Sequence, residues 1–409
     1  MRTETLVEYQ PKPRVPLSAD ERDGLRRVAL SVAVTPSIGA EGCYDLTPGS
    51  WVGAINLGTL AIEIKPKIPT DRVLFLLSYA LDPKRWKETP FDYGEERSLV
   101  EAIVPGFAFQ VRCAFSRGLL HGYRREDDAL PTVRGRIRFD DQIRDRFGLF
   151  PPVEVSYDNH TEDIEENRII KAAIGRIGRL RLRSSSSART LRAFDSVLQA
   201  VCSVHYDQRS LPRTTYTRLN EHYRPAVELA KLILRSSSFE LRHGEVHAAA
   251  FLVDMNDVFE NFVYVAVREA LCLSERAFPQ GGRGRRLFLD GAAKIELRPD
   301  LSWWDGERCT FIGDVKYKQA EAAGGPNADV YQLLAYTIAT DLPGGLLVYG
   351  ALRGEMVAHR IVNVGKDLAV AAIDLRGTPE EMLGQAKTIT SQISRLRELA
   401  RGDSLAVMA

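Results

Sequence analysis

Two aspartates and a lysine lie in the segment KIELRPDLSWWDGERCTFIGDVKYK, residues 294–318. Asp314 and Lys316 are two residues apart in a stretch that predicts a strand, so their side chains project from the same face. Burying an unpaired charge is costly, and the two groups therefore either form a structural ion pair or line a cleft. In a cleft, Asp300 and Asp314 would suit Mg²⁺, which prefers oxygen ligands. Lys316 would then orient or deprotonate a water, or stabilise charge on a phosphate.

The turn between two predicted strands decides whether Asp300 joins that face. We interpret residues 294–304 and 308–318 as an antiparallel hairpin. A two-residue loop, which the Asp-Gly dipeptide at its tip favours, turns Asp300 away from Asp314. A three-residue loop places the aspartates diagonally on one face, and a five-residue loop places them directly opposite, roughly 5 Å apart at Cβ. A shared metal therefore predicts an odd loop length or a β-bulge.

Two predicted helices bring further polar groups to these strands. A helix from about 328 to 340 carries Gln332 and Tyr336 one turn apart, on one face. An earlier helix in LVDMNDVFENFVYVAVREAL carries Glu260. This acid has two equally good interpretations, a support for the carboxylate site or a capping box with Asp257. Helix, three strands, helix, strand is typical of an α/β domain around a mixed sheet.

The composition excludes several classes of protein. The 409 residues carry a net charge of +1, so nucleic-acid affinity must come from local patches or from a partner. The five cysteines are far apart, which argues against a zinc site or a disulfide framework. The sequence has no GxxxxGK[ST] phosphate loop, so we expect no nucleotide bound by this chain itself. Without an apolar run of membrane-spanning length, we expect a cytoplasmic protein with no membrane partner.

Changes in pattern divide the chain into three predicted parts. Residues 1–158 are β-rich and include an alternating strand, Leu60–Lys65. Residues 159–245 are helical, and Asp163 and Glu166 there have capping-box spacing. Residues 246–409 form the α/β domain.

Two basic segments have alternative interpretations. Arg134, Arg136 and Arg138 alternate along a predicted strand and would share one face. That face would meet phosphates or acidic partner groups, although a solvated outer surface is the favoured interpretation. The segment GGRGRR, residues 281–286, is either a loop that grips the DNA backbone or an exposed hairpin tip.

Motifs along the chain resemble a known nuclease family. RPD followed by DVK resembles the PD-(D/E)xK nuclease pattern, and QLLAY resembles the QxxxY element of its RecB-like members. Over its whole length the chain resembles the McrC family, the nuclease subunit of McrBC-type modification-dependent restriction systems. The matching segments are VEYQP, LGTLAIEIKPKIP, RGLLHGY with VRGRI, DIEENRIIKAAI, FLVDMNDVFENFV and RPD…DVKYK…YQLLAYT.

This resemblance implies a fold, an activity and partners. It implies a restriction-endonuclease-like mixed sheet in residues 246–409, after a β-rich domain that contacts the partner and a helical connection. It implies phage defence by Mg²⁺-dependent cutting of double-stranded, methylcytosine-containing DNA, with Mn²⁺ as a substitute. A McrB-like AAA+ GTPase hexamer, stimulated by this chain, would be the partner. The implied site residues are Asp300, Asp314, Lys316, Gln332, Tyr336 and Glu260, with the first two as metal ligands.

Three other interpretations remain open on the sequence. A stand-alone repair or recombination nuclease would use the same catalytic residues without a GTPase. A scaffold with a vestigial nuclease fold would activate a GTPase without cutting. In the third, Asp314 and Lys316 form a structural ion pair only.

Overall fold

The computed structural model describes residues 2–28, 32–83, 86, 99–179, 184–206, 211–236, 241–243, 246–282, 284–317, 327–351 and 357–407. The chain forms two compact units. The first unit comprises Met1–Ala54, Thr59–Leu99 and Leu252–Ala409, and the second comprises Ile55–Gly58 and Val100–Phe251. Both units combine helices with sheets, which confirms the predicted α/β class.

The helices of the described residues are α1 (Ala19–Val28), α2 (Thr70–Leu81), α3 (Leu99–Phe115), α4 (Phe139–Arg146), α5 (Glu165–Gly178), α6 (Ser185–Val197), α7 (Arg224–Ser236), α8 (Met255–Ala270), α9 (Asn327–Ala339) and α10 (Pro379–Val407). The strands are β1 (Arg2–Val7), β2 (Lys12–Pro16), β3 (Val32–Pro36), β4 (Cys43–Pro48), β5 (Trp51–Asn56), β6 (Leu60–Lys65), β7 (Gly122–Leu130), β8 (Arg136–Ile137), β9 (Val153–Thr161), β10 (Leu241–His243), β11 (Val246–Asp254), β12 (Leu287–Phe288), β13 (Glu296–Leu297), β14 (Leu301–Asp305), β15 (Arg308–Lys316), β16 (Gly344–Ala351), β17 (Val357–Ile361) and β18 (Lys366–Asp374).

The edges of the compact units differ from the predicted boundaries at 158 and 245. The amino-terminal strands and the carboxy-terminal segment share the first unit. One reason is a hydrogen bond of 2.9 Å from the Met255 N–H, at the start of α8, to the Ser50 carbonyl. Long-range contacts of this kind leave no mark on local composition.

A five-stranded mixed sheet organises the carboxy-terminal part of the first unit, in the order β14-β15-β16-β18-β17. β15, β16 and β18 run parallel, and the outer strands β14 and β17 are antiparallel to their neighbours. Helix α9 covers one face: a Cβ on Gly345 would lie 2.8 Å from Leu333 of that helix. On the other face, a Cβ on Gly350 would lie 3.3 Å from Phe259 of α8. The inner strands of the sheet are therefore covered on both sides, as their apolar residues require, whereas the edge strand β17 is mostly exposed.

The predicted strand Leu60–Lys65 is confirmed as β6. Its side chains alternate between buried positions and partly buried or exposed positions, and it pairs in parallel with β1. Helix α1 begins with a capping box, in which the Ser18 N–H donates to the Glu21 carboxylate at 2.9 Å and the Glu21 N–H donates to Ser18 Oγ at 3.2 Å.

In the second unit, the predicted arginine-bearing strand is wrong. Only Arg136 of the three lies in a strand, the two-residue β8, which pairs with β9. Gly135 before it has a φ of 72°, a left-handed conformation that interrupts the alternation. The Arg134 guanidinium lies 4.1 Å from the centre of the Tyr157 ring. Arg138 forms ion pairs with two aspartates, so the arginines share no single face.

The capping box predicted for Asp163 is wrong as well. The residue at the N-cap of α5 is Ile164. The Asp163 carboxylate instead accepts hydrogen bonds from the Arg168 guanidinium at 2.6–2.7 Å and from the Cys202 N–H at 2.9 Å. It therefore joins the start of α5 to the segment after α6, and the Arg168 guanidinium holds its pKa well below the usual range.

Candidate active site

The β14–β15 hairpin contains the feature on which the site depends. Its register is Leu301–Gly313, Ser302–Ile312, Trp303–Phe311, Trp304–Cys309 and Asp305–Arg308. The turn has two residues, and the register shifts between Trp303 and Trp304 because Thr310 is an extra residue on β15. One position beyond the Leu301–Gly313 pair, Asp300 is opposite Asp314. A bulge is one of the two solutions that the sequence predicted, and it is confirmed.

The two aspartates are held in a buried setting. Asp314 is 1% exposed. Asp300 Oδ2 accepts a hydrogen bond of 2.8 Å from the Val315 N–H. Burial, and then the charges of Asp314 and Glu260, raise the pKa of Asp300 to about 8. Like charges held together in a low-dielectric setting favour a shared proton or a cation.

Lys316 lies beside Asp314 on the same face of the sheet. Its Nζ is 2.5 Å from Asp314 Oδ2. Burial acts to lower the pKa of Lys316, but the carboxylates of Asp314 and Asp300 outweigh it and raise the pKa above its ordinary value. The side chain therefore carries a positive charge at neutral pH. This favours charge stabilisation over proton abstraction among the roles that the sequence left open.

The donor set of the two aspartates fits a divalent cation. Asp314 Oδ2 is buried and lies 2.5 Å from the Lys316 ammonium, although no hydrogen bond of good geometry to it occurs among the described residues. Two opposed carboxylates with an ammonium beside them form a donor set that a divalent cation can enter. Clusters of three or more His, Cys, Asp or Glu side chains suited to a metal do not occur among the described residues. Two carboxylates suffice for Mg²⁺, which usually keeps waters and substrate oxygens as its other ligands.

The predicted helical pair on α9 is brought to this face. Gln332 Nε2 donates to the Tyr336 hydroxyl at 2.7 Å, and that hydroxyl donates to the Arg298 carbonyl at 3.2 Å. Burial, followed by the Asp314 charge, raises the pKa of Tyr336 to about 12, so the phenol stays neutral. The pair thereby ties α9 to the segment that leads into Asp300.

Glu260 lies on α8, and its predicted capping box with Asp257 is wrong. The N-cap of α8 is Asp254, whose carboxylate accepts a hydrogen bond of 2.9 Å from the Asn256 N–H. The charge of Glu260 acts on Asp300 instead. The role of Glu260 as a supporting acid stays a prediction.

Sequence reasoning missed one carboxylate beside the site. Asp329 of α9 is buried and accepts a hydrogen bond of 2.7 Å from the Tyr349 hydroxyl. Its charge contributes to the raised pKa of Lys316. A signal was present, since Asp329 precedes Gln332 by three residues and Tyr336 by seven, which places all three on one helical face.

The basic segment 281–286 has one arginine whose contacts are clear. Arg285 donates to the Glu307 carboxylate at 2.6 Å and to the Gly306 carbonyl at 2.7 Å, so it is bound to the turn of the β14–β15 hairpin. Its guanidinium lies 5.0 Å from the centre of the Trp304 ring. Position 283 lies outside the described residues.

Comparison with known proteins gives a family match. The family model for the McrBC 5-methylcytosine restriction system component matches residues 46–350. A chain in the refined half-complex from the tetradecameric assembly of Thermococcus gammatolerans McrB AAA+ hexamers with bound McrC is 17% identical, with a TM-score of 0.52, over 95% of this chain and 100% of that chain. This likeness shows a shared fold.

A chain in the cryo-EM structure of the Thermococcus gammatolerans McrBC complex is 19% identical, with a TM-score of 0.42, over 66% of this chain and 88% of that chain. None of the curated proteins matches the chain. Within the described ranges, no helix has both the length and the apolar character that crossing a membrane requires.

Proposed function

Since the chain belongs to the McrBC family of 5-methylcytosine restriction-system components, we propose that it is the nuclease subunit of such a system. In this proposal it is a metal-dependent endodeoxyribonuclease of the PD-(D/E)xK type that cuts methylcytosine-containing double-stranded DNA. One observation carries the nuclease assignment. The bulge in the β14–β15 hairpin brings Asp300 opposite Asp314, with the Lys316 ammonium 2.5 Å from Asp314 Oδ2.

Asp300 and Asp314 would hold Mg²⁺, or Mn²⁺ as a substitute. A bound ion of this kind polarises the scissile phosphate and makes a water more acidic. The chain contributes the geometry, because the Val315 N–H fixes one oxygen of Asp300. Asp300 would hold the cation in its ionised form, whereas its raised pKa makes the free side chain mostly neutral at pH 7.

The other side chains have distinct roles in this proposal. The charged Lys316 stabilises the negative charge that develops on the phosphate. Gln332 and Tyr336 hold α9 over the catalytic face through their mutual hydrogen bond and the bond to the Arg298 carbonyl. The negative charge of Glu260 makes ionisation of Asp300 less favourable, and a cation bound at Asp300 would offset this repulsion.

The partner in this proposal is a McrB-like AAA+ GTPase hexamer, whose hydrolysis the chain stimulates in the cytoplasm. Two facts support it. The sequence contains no phosphate loop of its own, and the solved relative is described with McrB AAA+ hexamers and bound McrC.

The test uses the chain with its partner GTPase, GTP, Mg²⁺ and methylated DNA, and measures cutting and GTP hydrolysis in the same reaction. Lys316→Ala should abolish cutting and leave stimulation of hydrolysis intact, because the lysine serves the nuclease site alone. Asp305→Asn is the matched control, since this carboxylate of the same hairpin is bound by Arg397 and Arg401 outside the site.

Other results would point to the alternatives. Cutting that persists in Lys316→Ala excludes the proposed site. Cutting by the wild-type chain without its partner supports a stand-alone nuclease. Stimulation of hydrolysis without any cutting by the wild-type complex supports a scaffold.

A further inference from the structure

Glu8, directly after β1, is a buried carboxylate away from the catalytic face. The residue is 1% exposed. Its Oε2 accepts hydrogen bonds of 3.1 Å from the Lys67 backbone N–H and from the Tyr317 hydroxyl. The Lys67 ammonium lies 3.8 Å from the centre of the Tyr317 ring. We call Glu8, Lys67 and Tyr317 the Glu8 latch.

The Glu8 latch joins three segments of the first unit. The Glu8 N–H donates to the Lys65 carbonyl at 2.9 Å, which extends the pairing of β1 with β6. The next residue, Tyr9, donates its N–H to the Pro48 carbonyl at 3.2 Å and has a φ of 59°. The backbone on both sides of Glu8 is therefore fixed. The hydroxyl of Tyr317 connects this frame to the end of β15.

The end of β15 has a neighbouring strand on one side only in the described part of the sheet, so side-chain contacts must help to fix it. On one side its partner β14 begins at Leu301, opposite Gly313, whereas on the other side β16 continues as far as the pair of Lys316 with Tyr349. Beyond Gly313, the edge of β15 that faced β14 is bound by side chains instead of a strand. The Asp300 carboxylate accepts a hydrogen bond from the Val315 N–H at this edge. Lys316 is thus at a strand end that pairs with a strand on one side only within the described part of the sheet.

Tyr317 follows Lys316 and projects from the opposite face. It is 2% exposed, and its ring lies 6.1 Å from that of Phe259 on α8. Phe259 is the neighbour of Glu260 in the chain. The Tyr317 ring therefore lies on the face of the sheet opposite the Lys316 side chain, between the sheet and α8, the helix that carries Glu260.

The carboxylate of Glu8 is only partly satisfied by hydrogen bonds at this position. Burial raises its pKa to about 7, although the Lys67 N–H and the Lys67 charge act to lower it. Its Oε1 is buried without a hydrogen-bond partner among the described residues. A group that breaks the rule of full polar satisfaction is expected chiefly where function requires it.

We propose that Glu8 is a positioning residue that holds Lys316 beside Asp314 by fixing Tyr317, the next residue of the strand. The inference rests on the proposed function, because it assigns Glu8 to the same nuclease site. It places a determinant of cutting more than 300 residues away in sequence from the lysine that it serves.

The test compares two latch variants with a matched control. Tyr317→Phe removes only the hydroxyl that donates to Glu8, and Glu8→Leu removes the acceptor with little change in side-chain volume. Tyr264→Phe is the control, because Tyr264 is also buried in the first unit and its hydroxyl donates to the Phe278 carbonyl at 3.0 Å. Three quantities are measured: the rate of single-turnover cutting by the complex with its GTPase at saturating DNA, the affinity for DNA, and the hydrogen exchange of the backbone amides of residues 314–317.

We expect both latch variants to cut about tenfold more slowly at unchanged DNA affinity, as a displaced catalytic group requires. The double variant should be no slower than either single variant, since both break the same hydrogen bond. Exchange at 314–317 should be faster in both, and Tyr264→Phe should match the wild type in every measurement.

Cutting rates equal to that of Tyr264→Phe would overturn the inference. So would a double variant whose loss is the product of the single losses, because the two groups would then act independently. A wild-type complex that does not cut refutes the proposed function. The role of Glu8 in positioning a catalytic lysine is then refuted as well. The exchange measurement distinguishes that case from a failure of the latch, because it does not depend on cutting.

Discussion

Binding of a divalent cation at Asp300 and Asp314 should release a proton. Burial and the neighbouring charges of Asp314 and Glu260 raise the pKa of Asp300 from its ordinary value of 3.8 to about 8. A carboxyl group with a raised folded pKa favours folding below its unfolded pKa, and this contribution is lost as the pH rises through the folded value. Without metal, the chain should therefore lose stability between about pH 4 and pH 8 through this residue. The cation reverses that loss because it binds the ionised form.

The size of the effect follows from the fraction of Asp300 that is ionised. With a pKa of about 8, about one molecule in a hundred is ionised at pH 6 and about one in ten at pH 7. The apparent affinity for Mn²⁺ should therefore rise about tenfold from pH 6 to pH 7 and about fivefold from pH 7 to pH 8. At pH 7 each bound ion should displace about 0.9 proton.

Isothermal titration calorimetry with Mn²⁺ in two buffers of different ionisation enthalpy counts the released protons. Asp305→Asn should behave as the wild type, because Asp305 has a lowered pKa and lies outside the site. Glu260→Gln should release fewer protons and bind with a weaker pH dependence, because one of the charges that raise the pKa of Asp300 is gone.

Tight Mn²⁺ binding with no proton release at pH 7 would refute the reasoning, because Asp300 would then be ionised in the free chain. An unchanged proton count in Glu260→Gln would show that this acid does not act on the site. Either result would refute the proposed cause of the raised pKa of Asp300 without affecting the geometry of the β14–β15 hairpin.

Four further substitutions have expected results. Asp163→Asn should lower the free energy of unfolding by about 2 kcal/mol at pH 7, because the bonds from Arg168 and the Cys202 N–H weaken. Since the pKa of Asp163 is lowered, the wild type should lose this stabilisation progressively as the pH falls from about 4 toward the lowered pKa, and denaturant unfolding at pH 7 and at several pH values below 4 measures both. Gly344→Ala should lower the free energy of unfolding by about 2 kcal/mol or more, because its Cβ would lie 2.1 Å from the Asp367 carbonyl. Gly384→Ala in α10, where a Cβ meets nothing within 4 Å, should instead raise the melting temperature. Tyr336→Phe should slow cutting without changing Mn²⁺ affinity, and equal rates would exclude a role for the Tyr336 hydroxyl.

The parts of the site that the sequence predicts are those set by local periodicity. Strand alternation puts Asp314 and Lys316 on one face, and helical spacing joins Gln332 to Tyr336 through a bond of 2.7 Å. The need to place Asp300 on the same face was enough to predict an odd loop or a bulge. The position of that bulge, at Thr310, depends on packing between strands and was not predictable.

The failures have physical causes of two kinds. Local turns overrode periodicity at Gly135, where a left-handed backbone ends the predicted strand of arginines. Long-range contacts overrode local spacing at Asp163, whose carboxylate binds Arg168 and the Cys202 N–H in place of the start of its own helix. Glu8 is the extreme case, since nothing near it in sequence indicates its contact with Tyr317.

The bulge at Thr310 has a consequence for insertions and deletions in this hairpin. Thirteen residues separate Asp300 from Asp314, and an odd number cannot close on a two-residue turn unless one residue is left out of the pairing. The extra residue, Thr310, lies near the turn. The pairs on the side of the bulge away from the turn, from Trp303–Phe311 to Leu301–Gly313, therefore keep their register when the turn or the bulge changes in this way. A deletion that removes the bulge together with its extra residue would preserve the opposition of the two aspartates. The interval between the halves of such a motif can therefore vary by one residue during evolution while the chemistry at its ends stays aligned.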